Sequence, residues 1–237
     1  MLDSPGGDVD TPYSLEVHEE VPSTQDLARR RAAAERPAVV IAHRQSQGRG
    51  RSGAPWVSAP RGIAVSIGLV PEWPQETWPR IPLVAGVAAR RVLGPAVTLK
   101  WPNDIVRSGR KVGGILVEAV DGTVVAGMGL NVHWSDPPDG IGALLEHDPG
   151  PEEGQRVAER WARTLMALLS SRADDWPRDE YVAACETIGQ EIVWEPAGAG
   201  RAVGLAADGA LVVETADGTT VELRSGEIRH VRTIRGR

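Results

Sequence analysis

The stretch VGGILVEAVDGTVVAGMGLNVHW, residues 112–134, reads as two apolar runs hinged on Asp121-Gly122. Asp-Gly between β-rich runs suits a two-residue hairpin turn, where both central residues need positive φ. The spacing therefore predicts a β-hairpin, and the rest of the chain can be read outward from it. Upstream, VTLKW (97–101) leads into the turn Pro102-Asn103-Asp104, and RSGRK (107–111) is a second polar turn. RIPLVAGVAARRVL (80–93) reads as a mostly buried helix, while AVVIA (38–42) and GIAVSIGLV (62–70) read as strands. PSTQDLARRRAAAE (22–35) carries a helix start, with Ser23 as N-cap and Asp26 three residues on.

Downstream, residues 133–153 are rich in Pro, Gly and Asp and read as loop. RVAERWARTLMALLSSRADDW (156–176) places Val157, Trp161, Leu165, Leu168 and Leu169 at helical spacing, and a shorter helix is expected near 178–187. From Gly189 the pattern changes to five short strands broken by Asp208-Gly209 and Asp217-Gly218, which suits a small β-barrel. The expected fold is α+β, a large mixed sheet with packed helices plus a small terminal β unit. The expected units are a flexible tail over 1–12, a main domain over 13–188 and the β unit over 189–237.

With 237 residues, 41% of them hydrophobic, the chain can bury a substantial core. A net charge of −6 offers no broad field for a nucleic-acid duplex, so an anion must be met locally. The single cysteine, Cys185, excludes an internal disulfide framework, and with only five histidines there is no Cys/His zinc pattern; a reducing cytoplasm fits. The start MLDSPGGDVDTPYS lacks the apolar core of a signal peptide, and no run approaches membrane-spanning length. Of the 26 basic residues only Lys100 and Lys111 are lysine. In so arginine-biased a chain, a retained lysine suggests a need for a compact ammonium.

The segment HRQSQGRGRSGAPW (43–56) combines glycines with Arg44, Arg49 and Arg51. Glycine lets backbone N–H groups approach a ligand, and the guanidinium groups supply fixed charge, so the loop suits phosphate or carboxylate. It is not a P-loop, because no Lys-Ser/Thr pair follows its last glycine. KWPNDIVRSGRKVGGILVE (100–118) adds both lysines, Asn103, Asp104 and the pair Gly113-Gly114. In a strand that pair marks either close backbone approach or a bulge. Asn131 ends the second arm of the hairpin, where it can read an adenine edge or cap a turn.

Taken in order, Ser23-Thr24-Gln25, Gln45 to Trp56, Lys100 to Asp104, Arg110 to Glu118 and Gly127 to Asn131 resemble the motifs of the biotin protein ligase family. The resemblance spans roughly residues 21–133, and the terminal β unit resembles that family's SH3-like domain. Gln25 stands where Asn is usual, and Gln47 where a small residue is common. Only 22 residues precede Ser23, so the resemblance implies a catalytic-only form without the helix-turn-helix of the repressor members.

It further implies a class II aminoacyl-tRNA synthetase-like catalytic fold and an ATP-dependent ligase. Such an enzyme makes biotinyl-5′-AMP and passes biotin to a lysine of the biotin carboxyl carrier domain of an acyl-CoA carboxylase. ATP and Mg²⁺ are implied, and so is self-association as a homodimer. By the same resemblance Ser23, Thr24, Gln25, Gln45, Gly48, Arg49, Lys111 and Gly114 meet biotin, while Arg51, Trp56, Asn103, Asp104 and Asn131 meet the nucleotide. Lys111, Arg49 and Arg51 are the expected catalytic groups, and the metal ligands are unassigned.

Bringing a carboxylate to a phosphate opposes like charges by about 4 kcal/mol per pair at roughly 4 Å and an effective dielectric near 20, so cations should crowd the meeting point. The loop is expected to be mobile without ligand and ordered over the adenylate. Two other readings are a lipoate or octanoate ligase or transferase, and a non-enzymatic nucleic-acid-binding regulator. The first family's arginine/glycine/histidine signature is missing from the sequence, and the acidic balance counts against the second.

Overall fold

The computed structural model describes residues 13–32, 36–195, 198–224 and 232–233, so the tail expected over 1–12 lies outside the described residues. Two sheets organise the chain. The larger has seven strands in the order β1-β2-β3-β7-β6-β5-β4, formed by β1 (Ser14–Val21), β2 (Ala38–Gln45), β3 (Arg61–Leu69), β4 (Thr98–Lys100), β5 (Asp104–Arg107), β6 (Arg110–Val120) and β7 (Thr123–His133). β1 and β2 are parallel, and the other neighbours run antiparallel. Helix α1 (Thr24–Arg31) crosses between β1 and β2, α2 (Ile81–Leu93) follows β3, and α3 (Pro151–Leu169) and α4 (Arg178–Ala184) follow β7.

The hairpin forms as its Asp-Gly turn dictates: Val120 pairs with Thr123, and Asp121 and Gly122 take φ of 50° and 79°. Along β7 the alternation separates two environments. Val124, Ala126, Met128, Leu130 and Val132 enter the main core with Ile63, Val65 and Ile67 of β3, against Val84 and Val87 of α2 and Trp161 and Leu165 of α3. Each fully buried aliphatic side chain of this size contributes about 1.5–3 kcal/mol, so this face holds the sheet together. Trp161, wholly buried, also donates its indole N–H to Ala85 O at 3.0 Å. The opposite face carries small residues and is covered by α1, whose Ala28 packs on Val40 and Val125.

Several expectations need correction. β1 was not anticipated, because SLEVHEEV is charged and half-exposed at a sheet edge, so its apolar signal is weak. β5 lies where only turns were read, since its four residues are too short to show a period. α3 begins at Pro151, inside the expected loop, and ends at Leu169; after it the chain makes a three-residue 3-10 turn at Ala173–Asp175 and still buries Trp176.

The second sheet is antiparallel, in the order β11-β10-β9-β8-β12, from β8 (Glu191–Trp194), β9 (Gly198–Leu205), β10 (Leu211–Glu214), β11 (Thr220–Leu223) and β12 (Arg232–Thr233). Its Ile192, Ala202, Leu211 and Val213 belong to the same buried cluster as the main core. Cys185, at the end of α4, is buried and its thiol pKa is raised by that burial.

Gly68 of β3 is the seat of α1: a Cβ there would lie 2.5 Å from Ala28 O and 2.8 Å from Ala32 Cβ. Gly68→Ala should therefore lift the helix and destabilise the protein by about 1–3 kcal/mol. A lowered urea midpoint with an unchanged m-value is the expected result.

Candidate active site

The floor of the site is built by omission. Gly127 and Gly129 of β7, Gly114 of β6 and Ala64 and Ser66 of β3 line a hollow of about 230 Å³ on the α1 side of the large sheet. A Cβ on Gly129 would sit 2.8 Å from Trp56 Cε2 and Cζ2, and one on Gly127 would sit 2.7 Å from Gln25 Oε1. Only glycine lets the indole and the amide lie directly on the strand.

One wall is the start of α1. Ser23 caps the helix, its Oγ accepting from Asp26 N at 3.4 Å, so Ser23, Thr24 and Gln25 reach the hollow at a fixed helix terminus. Gln45 Oε1 accepts from Thr24 N at 2.8 Å and from Thr24 Oγ1 at 3.0 Å, and Thr24 Oγ1 lies 2.8 Å from Ser66 Oγ. Because Gln45 Oε1 is held in this way, its amide nitrogen is oriented as a donor. Gln25 Nε2 donates to Glu118 Oε2 at 3.2 Å, and the buried Oε1 of Gln25 has no hydrogen-bond partner among the described residues.

The other wall is cationic. Arg49 makes a two-pronged pair with Asp26, Nη1 to Oδ2 at 2.9 Å and Nη2 to Oδ1 at 2.8 Å, with Glu118 Oε2 at 3.9 Å. Hydrogen bonds from Arg49 hold the Asp26 carboxyl below its ordinary pKa, against the opposing effect of burial, and the same bonds raise Arg49. Arg51 Nη1 donates to Asn103 Oδ1 at 3.3 Å, and burial lowers the Arg51 pKa against the nearby charge of Asp104. Lys111 Nζ stands 2.5 Å from Asp104 Oδ1 and 5.9 Å from the centre of the Trp56 ring.

A bulge aims Lys111. In the β5–β6 ladder Ile105 pairs with Gly113 but Val106 pairs with Lys111, so one extra residue sits in β6. Three positions apart, Lys111 and Gly114 would otherwise face opposite sides of the sheet; with the bulge both face the hollow, and Lys111 Nζ lies 3.6 Å from where a Gly114 Cβ would be.

Eleven of the thirteen expected site residues line the hollow: Ser23, Thr24, Gln25, Gln45, Arg49, Arg51, Trp56, Asn103, Asp104, Lys111 and Gly114. Gly48 and Asn131 do not. Gly48, within the loop, holds its base together, its carbonyl accepting from Trp56 N at 2.9 Å. Asn131 is buried on the same face as Gly127 and Gly129, but its Nδ2 donates to Gly142 O at 3.1 Å beneath the 140–145 loop. Asn103 is partly committed to framework, donating to Ile115 O at 2.9 Å.

The Gly/Arg loop is a folded hairpin, not an open strand: Gly50 N donates to Ala54 O at 2.7 Å, Ala54 N to Arg51 O at 3.1 Å, and Ser52 and Gly53 take left-handed φ. A hairpin already folded in this way has fewer residues left to order, at about 1–2 kcal/mol for each residue otherwise free. Sequence reasoning missed Asp26, Ser66, Glu118, Gly127 and Gly129 as site residues. Ser66 could have been found as the lone polar residue within GIAVSIGLV.

A narrow hollow with hydroxyl and amide groups on one wall, three cations on the other and an indole across it defines a protein that gathers a small acid with a second anion. The known proteins it resembles are of that kind. The sequence pattern of the biotin/lipoate A/B protein ligase family matches residues 17–134, and that of the biotin protein ligase C-terminal domain matches 195–231. The biotin–acetyl-CoA-carboxylase ligase of Mycobacterium tuberculosis is 34% identical over 212 residues, 82% of this chain and 79% of that protein. The bifunctional ligase/repressor BirA of Bacillus subtilis is 34% identical over 139 residues, 53% of this chain and 43% of its own length. The structure of Aquifex aeolicus biotin protein ligase in complex with biotin and ATP superimposes with a TM-score of 0.75 at 26% identity, covering 93% of this chain and 99% of that one. The chain belongs to the biotin/lipoate A/B protein ligase family.

The contact between Gly129 and Trp56 gives a direct check. Gly129→Val should expel the indole from the floor, so that one of the eight indole N–H resonances, the one lost in Trp56→Phe, shifts while the others hold.

Proposed function

We propose that this chain activates biotin with ATP and transfers it to a lysine of the carrier domain of an acyl-CoA carboxylase. In the first step a biotin carboxylate oxygen attacks the α-phosphorus, the bond to the β-phosphate oxygen breaks, and biotinyl-5′-AMP and pyrophosphate form. In the second, the neutral lysine amine attacks the acyl carbon, AMP leaves, and the amide forms with loss of one proton. The observation that carries the reading is the convergence of Arg49, Arg51 and Lys111 on one hollow floored by glycine. Three cations offset the repulsion between carboxylate and phosphate, and Lys111 stabilises charge on the reacting oxygens.

In this reading Ser23, Thr24, Gln25 and Gln45 receive the ureido group, and Arg49 and Gly114 border the acid chain. Arg51, Asn103 and Asp104 border the nucleotide, with Trp56 covering the adenylate. Gly48 supports the loop, and Asn131 approaches the adenine only if the 140–145 loop moves. In this reading Mg²⁺ enters with ATP and offsets the charge of the triphosphate.

The terminal strands form the family's SH3-like domain in this reading, with the boundary near 188. In the same reading nucleic acid is not a partner and the enzyme works in the cytoplasm. No helix among the described residues is long and apolar enough to cross a membrane. In the same reading the chain self-associates as a homodimer; β1 and β4 are the edge strands of the large sheet.

Pyrophosphate exchange tests the assignment: exchange should depend on biotin and stay at background with lipoate or octanoate. Lys111→Arg should keep the fold yet lose roughly 100- to 1,000-fold in turnover, the scale of a lost oxyanion-type contact. Exchange with lipoate alone would redirect the assignment to the lipoate branch of the family.

A further inference from the structure

Resting on the biotin-activation reading, we propose that Asp26 is a positioning residue that holds Arg49 against the cavity wall and fastens the Gly/Arg loop to α1. The pair is a fork on a fork: the Arg49 Nη1 and Nη2 groups each give one N–H to a different Asp26 oxygen, at 2.9 and 2.8 Å. Such a pair fixes the plane of the guanidinium as well as its place, which a single contact or a lysine cannot do.

The arrangement has a direction. Arg49 lines the hollow and Asp26 does not, so the guanidinium is the member of the pair on the cavity wall. A guanidinium has five N–H donors, and the pair uses two of them, leaving Nε–H and one N–H on each terminal nitrogen outside it. Asp26 sits in the first turn of α1, directly after Ser23, Thr24 and Gln25. One helical turn therefore presents the polar wall and holds the cation of the facing loop.

Arg29 Nη2 also donates to Asp26 Oδ1 at 3.0 Å, so the carboxylate meets a second cation on α1 itself. Glu118, at 3.9 Å from Arg49, is a second and looser partner that does not fix the plane.

Held in this way, Arg49 need not be ordered when the acid binds. Loss of Asp26 should raise KM for biotin roughly three- to tenfold, the immobilisation of one rotamer-rich side chain, with a smaller change in kcat. It should also free the loop hairpin from α1.

The test compares Asp26→Ala, Asp26→Asn, Asp26→Glu, Arg49→Ala and the double variant Asp26→Ala/Arg49→Ala. Two readouts are followed: tryptic cleavage after Arg51, which needs no turnover, and KM and kcat in biotin-dependent pyrophosphate exchange. Asp26→Ala and Asp26→Asn should cleave faster and show the KM rise with the melting temperature lowered by no more than about 2–4 °C, the scale of a lost charge at a helix N-terminus, and Asp26→Glu should recover part of both. In the Arg49→Ala background, removal of Asp26 should not speed cleavage further. A lower KM in Asp26→Ala would overturn the proposal, because it would mean that Asp26 competes with substrate for Arg49. Undiminished acceleration of cleavage in the Arg49→Ala background would overturn it too, because Asp26 would then act on the helix alone. If the wild-type protein performs no exchange with biotin, the functional reading falls, while the cleavage rates still decide whether Asp26 holds the loop.

Discussion

The structure depends on a difference between the two faces of one sheet. On one face β3 and β7 present Ile63, Val65, Ile67, Val124, Met128 and Leu130 to two helices. On the other, the same strands and β6 present Ala64, Ser66, Gly68, Gly114, Gly127 and Gly129. A strand glycine costs about 0.5–1 kcal/mol relative to alanine, and the bulky face offsets that cost several times over. What the glycines permit is close approach: α1 seats at Gly68, the Trp56 ring lies on Gly129, and Gln25 reaches over Gly127. Fill any of these positions and an element that shapes the hollow must move.

Charge is arranged with the same economy. Arg49 has Asp26 and Lys111 has Asp104, so each of these two cations facing the hollow has a carboxylate partner within the protein. An unpaired buried cation would carry a desolvation penalty that pairing relieves. The partners differ in place: Asp104 lines the hollow beside Lys111, while Asp26 is outside its lining. An incoming anion therefore meets Arg49 from its open side, and it meets Lys111 in competition with a neighbouring carboxylate.

Much of this was legible in the sequence because it is local chemistry. Asp121-Gly122 fixed the hairpin, Ser23 capped α1, and the run from Gln45 to Trp56 marked the cationic loop. Features that depend on strands meeting across the sheet were not legible. The charged edge strand β1 gains its identity from pairing with β2, and β5 from lying between β4 and β6. The aim of Lys111 rests on a bulge that no residue type announces, although Gly113-Gly114 hinted at irregularity. The Asp26–Arg49 pair joins residues 23 positions apart, and Asp26 in the sequence looks only like a favourable charge at a helix N-terminus.

The same logic explains why the turn bearing Asn103 and Asp104 keeps its place without a helix to stiffen it. Trp101, buried just before it, donates its backbone N–H to Thr187 Oγ1 at 3.0 Å and its indole N–H to Gly209 O at 3.1 Å. Within the turn, Asn103 binds the β6 backbone through Ile115 in both directions, its carbonyl accepting at 2.8 Å and its side-chain amide donating at 2.9 Å. One end of the turn is thus anchored to the segment after α4 and to the terminal sheet, and the other to the strand that carries Lys111. Gly209 is tied in from a second side, since a Cβ there would lie 2.5 Å from Leu83 Cδ1 of α2. The terminal sheet therefore sits in the mechanical frame of the site, and the geometry of Asp104 against Lys111 is set by contacts drawn from both sheets.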